Sequence, residues 1–209
     1  MNNQEEQLNA LNDIKKLMDR SSRFISLSGL SGVFAGFTAL AGAYLAHSEI
    51  ADYVNGSYTH AATIEDLEVN LLKIGFAVLI VALAGGLLLT LRQSRKKKLP
   101  FWDLTTKNLL FNLAIPLVSG GLFIIALLLA HPGTYGLIAP SCLVFYGLAL
   151  INASKYTYSD IRFLGFCEII LGLIAMFNIG YGLYFWAIGF GILHIFYGAL
   201  MYFKYERAN

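Results

Sequence analysis

Six apolar runs, each close to the length a helix needs to cross a bilayer, constrain this chain more than anything else in it. A helix rises about 1.5 Å per residue, so about 20 apolar residues cover the hydrocarbon core. The runs fall at residues 24–46, 71–91, 108–130, 136–153, 161–179 and 182–203. They lack the alternation of lipid-facing strands, which excludes a membrane β-barrel. The expectation is an all-α, polytopic six-helix transmembrane bundle (24–203), preceded by a short N-terminal amphipathic helix (1–23) and followed by a tail (204–209). Composition agrees. Apolar residues are 57% of the chain and charged residues 13%, against roughly 25% charged in soluble domains. That excludes disorder and a nucleic-acid-binding surface. Two cysteines are too few for a disulfide scaffold.

Charge placement predicts orientation. Of the 15 lysines and arginines, all but Lys73 fall on one side of the six runs. Positive loops stay inside, so both termini are expected in the cytoplasm, with the chain multi-pass in the cell inner membrane. Tyr44, Tyr135, Tyr181 and Tyr184 mark outer ends; Trp102, Tyr156, Tyr158, Tyr202 and Tyr205 mark inner ends. A cleaved signal peptide fits poorly, because the first run is long and Glu5, Glu6, Asp13 and Asp19 precede it.

Outside the spans, Leu8, Leu11, Ile14 and Met18 recur at helical spacing. The expectation is a helix lying on the inner headgroups, with the lipid bilayer as its partner. The sharper alternative makes residues 1–23 a handle for a cytoplasmic or membrane protein. In the outer loop, Thr63-Ile64-Glu65-Asp66 reads as a helix cap. Asn55-Gly56-Ser57 reads as a turn. Asp103 is a second candidate cap. The basic cluster Arg92, Arg95, Lys96, Lys97 and Lys98 is explained by topology. A homo-oligomer stays open.

Polar residues inside hydrocarbon are the informative positions. Glu168 is the only carboxylate within a span, and His194 lies at similar depth in the last span. Asn108 and Asn112 are one turn apart on span three, and Asn152 is near the inner end of span four. Ser26, Ser28 and Ser31 are in the inner half of span one. These predict a polar cluster in the cytoplasmic half, a ligand or proton site of Glu168, His194, Asn112, Asn152 and Asn108. The competing role is helix-to-helix glue. Gly32, Gly36, Gly85, Gly86, Gly120, Gly121, Gly191 and Gly198 are expected at close helix contacts. Pro116 and Pro140 are expected to kink spans three and four. Metal chemistry needs more ligands than one histidine and one carboxylate, so neither a metal nor a cofactor is expected.

Gly29-Leu30-Ser31-Gly32 resembles the GxSG signature of rhomboid intramembrane proteases, which also carry a histidine on a late span. The resemblance implies a membrane-embedded hydrolase with Ser31 as nucleophile and His194 as base. The family's serine is on a middle span rather than the first, and its oxyanion-side histidine and asparagine have no counterpart here. The segments SSRFISLSGLSG (21–32) and GFGILHIFYGALMYFKYE (189–206) resemble a family of small six-span bacterial integral membrane proteins. That family has no established activity, so the resemblance implies a membrane location and no catalytic role. The leading expectation is a non-enzymatic membrane subunit, sensor or small-solute handler.

Overall fold

The computed structural model describes residues 7, 24, 27–56, 63–98, 100–131 and 133–207. Apart from Gln7, the expected amphipathic helix at 1–23 lies outside the described residues. Six helices follow in chain order: α1 (Gly29–Val54), α2 (Ile64–Lys96), α3 (Leu104–Ala130), α4 (Ile138–Ala153), α5 (Asp160–Met176) and α6 (Gly182–Tyr205). Turns of 3-10 helix, Tyr135–Leu137 and Ser154–Tyr156, flank α4. The middle of α6, Ala187–Leu193, is π-helical. No strand occurs among the described residues.

Five of these helices are long and apolar enough to cross a membrane, with α4 and its flanking turns counted together. The sixth, α5, has 17 residues. That is about 25 Å, somewhat less than a typical hydrocarbon core of about 30 Å.

Local chemistry sets several boundaries. Thr63 caps α2 with a reciprocal capping box: its hydroxyl oxygen accepts from the Asp66 N–H, and the Thr63 N–H donates to Asp66 Oδ2 at 2.9 Å. Asp103 caps α3, its Oδ1 accepting from the Thr106 N–H at 2.7 Å. Gly56 closes α1 at φ +66°, where an L side chain is strained. The start of α1 differs from the expected 24. Phe24, Leu27 and Ser28 are not helical. The cap at Gly29 is the Glu206 carboxylate, which accepts from the Gly29 N–H and, at 3.3 Å, from the Ser28 hydroxyl. A carboxylate suits a helix N-terminus, but this one arrives from the far end of the chain.

Packing builds an inner group of four helices with two outriders. α1 packs on α2 and α6; α4 packs on α3, α5 and α6. α2 and α3 bury only 6% of their most apolar windows. Their exposed faces are continuous and apolar, with Phe76, Leu83, Leu88, Phe111, Leu122 and Leu129 each at least 63% exposed. Such surfaces are rare on proteins whose solvent is water. The helical, apolar chain is consistent with an integral membrane protein.

Close contacts run through glycine. At Gly147 an added Cβ would lie 2.6 Å from the Gly165 carbonyl oxygen, and one at Gly165 would lie 2.7 Å from that of Gly147. These positions let the backbones of α4 and α5 touch. Gly32 and Gly36 meet Gly198 and Gly191 across α1 and α6. Gly85 and Gly120 face Phe34 and Phe145, whereas Gly86 and Gly121 face open space, against the expected close contact.

The elements alternate in direction, and contacts at one end show it. The Phe24 N–H donates to the Tyr156 carbonyl at 2.7 Å, and the Phe24 ring packs edge-on to Phe101. Lys97 donates to the Tyr158 hydroxyl, Tyr158 stacks on Tyr205 at 4.1 Å, and Lys204 pairs with Asp160 at 2.9 Å. Thus the start of α1, α3 and α5 and the finish of α2, α4 and α6 share one end. Among the described residues the lysines and arginines other than Lys73 gather there, and Lys73 lies toward the other end. Burial pushes the Tyr158 hydroxyl up to about 12, with Glu206 and Tyr205 adding to the effect. Burial likewise lowers the Lys97 ammonium, opposed by Glu206.

Candidate functional site

Glu168 is the ninth of the 17 residues of α5, so it lies at mid-helix rather than in the cation-rich half. It faces inward because α5 buries Ile161, Leu164, Gly165, Gly172 and Ala175 on the same side. It is completely buried. Neither carboxylate oxygen has a hydrogen-bond partner. Buried polar groups in proteins nearly always find partners, and among the described residues this is the only buried carboxylate.

His194, on α6, lies beside it. The ring Nδ1 is 3.5 Å from Glu168 Oε1 and 2.9 Å from the Gly189 carbonyl oxygen. The carbonyl can only accept, so Nδ1 carries the proton and donates to Gly189. The longer approach to Glu168 is electrostatic and is not a second full hydrogen bond. With Nδ1 protonated, a neutral ring leaves Nε2 as an acceptor. The Tyr146 hydroxyl, on α4, donates to it at 2.7 Å. Three helices therefore contribute one row: Tyr146, His194, Glu168.

Local structure makes room for it. Gly189 lies within the π-helical stretch Ala187–Leu193, a feature frequent at functional sites. A Cβ on Gly189 would fall 2.5 Å from Glu168 Oε2 and would clash with Leu143. The carboxyl thus occupies the space that a side chain at 189 would fill. Phe190 lies against both the Tyr146 and His194 rings, at 5.0 and 5.9 Å between centroids, and Leu143 and Leu171 complete the apolar wall.

The other expected site residues form separate groups. Asn112 Nδ2 donates to the Asn108 carbonyl at 2.8 Å, and Asn152 Nδ2 donates to the Asn112 carbonyl at 2.8 Å. Pro116 explains the second bond. Proline has no N–H, so the Asn112 carbonyl four residues earlier loses its helical donor, and α4 supplies one. These asparagines join α3 to α4, away from Glu168. Pro140 falls in the first turn of α4, where a missing N–H breaks no intrahelical bond. There it gives no cause for the kink expected in span four. Ser28 belongs to the Glu206 cap, and Ser26 lies outside the described residues. In place of one polar cluster there are three groups.

Ser31 and His194 are not brought into a dyad. The Ser31 hydroxyl donates to the Ser28 carbonyl at 2.5 Å, and both His194 nitrogens are engaged elsewhere. A nucleophilic serine needs its base within hydrogen-bond reach.

Tyr146 is not among the residues that the sequence points to. Its signal was a hydroxyl in mid-span, which needs a partner wherever water is excluded. Cys167 and the Tyr197 hydroxyl lie 3.8 Å apart beside this row, and Cys142 and Cys167 are both free thiols. Among the described residues no three of His, Cys, Asp and Glu converge in a way that would hold a metal ion. No family model, curated protein or solved structure matches the chain.

Proposed function

We propose that this is a six-span bacterial inner-membrane protein with both termini in the cytoplasm. Its role is non-enzymatic, as a sensor, subunit or small-solute handler that binds a ligand or a proton at Glu168 and His194 within the membrane. It would then belong with the small six-span bacterial membrane proteins that residues 21–32 and 189–206 resemble. The single observation that carries the reading is the Glu168 carboxyl: fully buried, with both oxygens unpartnered, beside an imidazole whose one N–H goes to Gly189. Glue residues earn burial by bonding; the asparagine group between α3 and α4 does so, and Glu168 does not. Six spans are supported by the common end at which alternate helix termini meet. The gathering of cations at that end supports a cytoplasmic placement for it.

An apolar carbodiimide tests this reading, because it attacks carboxyls that are protonated and reached from the lipid phase. In membranes, the adduct should appear on Glu168 and be absent from Glu168→Gln. A site that opens will label; a carboxyl sealed as glue stays unmodified until the chain is denatured, and that result would overturn the proposal. For the hydrolase alternative, a fluorophosphonate should give no Ser31-dependent labelling.

A further inference from the structure

We infer that the ligand of the Glu168 site is a proton, and that its arrival or departure moves the His194 Nδ1–H between Gly189 and Glu168. This rests on the proposal that Glu168 is a binding site rather than glue.

Space decides the ligand class. The carboxyl is wholly buried, and the position beyond Oε2 is bounded by the Gly189 backbone, Leu143 and Leu171. The donor set is one carboxylate, one carbonyl and one imidazole, too few to replace the hydration of a metal ion or an organic cation. A proton needs no cavity. It binds at an oxygen already there, and a neutral carboxyl is the form that hydrocarbon tolerates without a partner.

Geometry decides what the proton does. The Nδ1–H faces two acceptors, Gly189 O at 2.9 Å and Glu168 Oε1 at 3.5 Å. The other nitrogen is held by Tyr146 at 2.7 Å, so the ring pivots about a fixed edge. Donation to Gly189 is the arrangement expected while Glu168 is protonated. A carboxylate is the stronger acceptor. When the proton leaves Glu168 for water, the Nδ1–H swings to it and the Gly189 carbonyl keeps only the donor that a π turn supplies, the His194 backbone N–H five residues on. That carbonyl belongs to the π turn. With the side-chain bond released, the Leu193 N–H, four residues on, can take that place in the α register. The turn then tightens toward α, and the preceding segment, with Trp186 at its end, rotates by up to one residue's arc, about 100°. One proton is exchanged with the aqueous phase and no other covalent bond changes.

Few other groups can answer to pH there. On α1, which packs against the π stretch, Tyr44, His47, Glu49, Asp52 and Tyr53 lie toward the end away from the cations, with the His47 ring edge-on to Tyr184 at 6.4 Å. From α4 the titratable side chains are Cys142 and Tyr146. On α5, Cys167 is met by Tyr197, and Asp160 and Arg162 lie at the cation-rich end. On α6 the remaining tyrosines and Lys204 lie toward its two ends, and Lys155 and Tyr156 of the adjoining 3-10 turn also lie at the cation-rich end.

The test uses the full chain in lipid nanodiscs, carrying Trp102→Phe so that Trp186 is the sole indole. Two signals are followed against pH: the infrared band of the protonated Glu168 carboxyl, and Trp186 emission. The band is assigned by its loss in Glu168→Gln or, should that variant not fold, by its displacement in Glu168→Asp. The expected result is one common midpoint for both signals. A carboxyl band that titrates while Trp186 stays silent overturns the swing and leaves the proton site standing. If no Glu168 band changes across the range in which the protein stays folded, the proton reading itself is overturned.

Discussion

Replacing Glu168 with methionine should stabilise this protein. The carboxyl is buried with two unpartnered oxygens, and an unsatisfied buried polar group costs about 1–3 kcal/mol. Methionine is unbranched, similar in reach and apolar, so it fills the space beside Gly189, Leu143 and Leu171 without a polar group to satisfy. Little is lost in exchange. His194 keeps its bonds to Gly189 and Tyr146, at 2.9 and 2.7 Å, and its 3.5 Å approach to Glu168 is not a hydrogen bond. The net gain is therefore about 1–3 kcal/mol, and each kcal/mol moves the midpoint of a chain this size by about 2–4 °C. Thermal unfolding in detergent, followed by gel-filtration recovery, measures it. A variant less stable than wild type by more than about 1 kcal/mol would refute the reasoning, because it would mean that Glu168 makes a stabilising bond.

Asn152→Leu should cost about 1–3 kcal/mol by orphaning the Asn112 carbonyl; Pro116→Ala restores a helical N–H to that carbonyl and should recover most of the loss in the double mutant, read as a thermodynamic cycle. Gly147→Ala should destabilise by about 1–3 kcal/mol, because its Cβ meets backbone rather than a movable side chain; unchanged thermal stability would contradict the α4–α5 contact. The Tyr158 hydroxyl is raised from the usual 10.0 to about 12. A raised value means stability that is complete below pH 10 and lost as pH rises toward 12. Wild type should therefore lose thermal stability relative to Tyr158→Phe over that window and track it below.

Much of this architecture was legible because bilayer solvation imposes local rules. The Thr63 and Asp103 caps follow from side chains within three residues of the backbone groups they satisfy. The pairing of Glu168 with His194 was legible because polar groups at one depth in hydrocarbon have few other neighbours. What escaped is long-range. The start of α1 is fixed by Glu206, some 177 residues away in sequence, and no local pattern carries that. Gly147 and Gly165 are single glycines on different helices, outside any stripe, yet they set the α4–α5 approach. The asparagines looked like members of the Glu168 site because depth alone says nothing about which face of a helix a side chain occupies. The π turn of α6 has no proline or charge to announce it; two glycines in Gly189-Phe190-Gly191 permit it, and packing against Glu168 gives it a use.

A proton site at Glu168 requires α5 to cross the bilayer with Glu168 midway, and α5 is the shortest of the six helices apart from the core of α4. Single cysteines at Ser159 and Asn178, in a chain with Cys142 and Cys167 replaced, test this with a membrane-impermeant maleimide. Asn178→Cys should label in intact cells, and Ser159→Cys only after the membrane is opened. Equal labelling of both positions from the same side would contradict it.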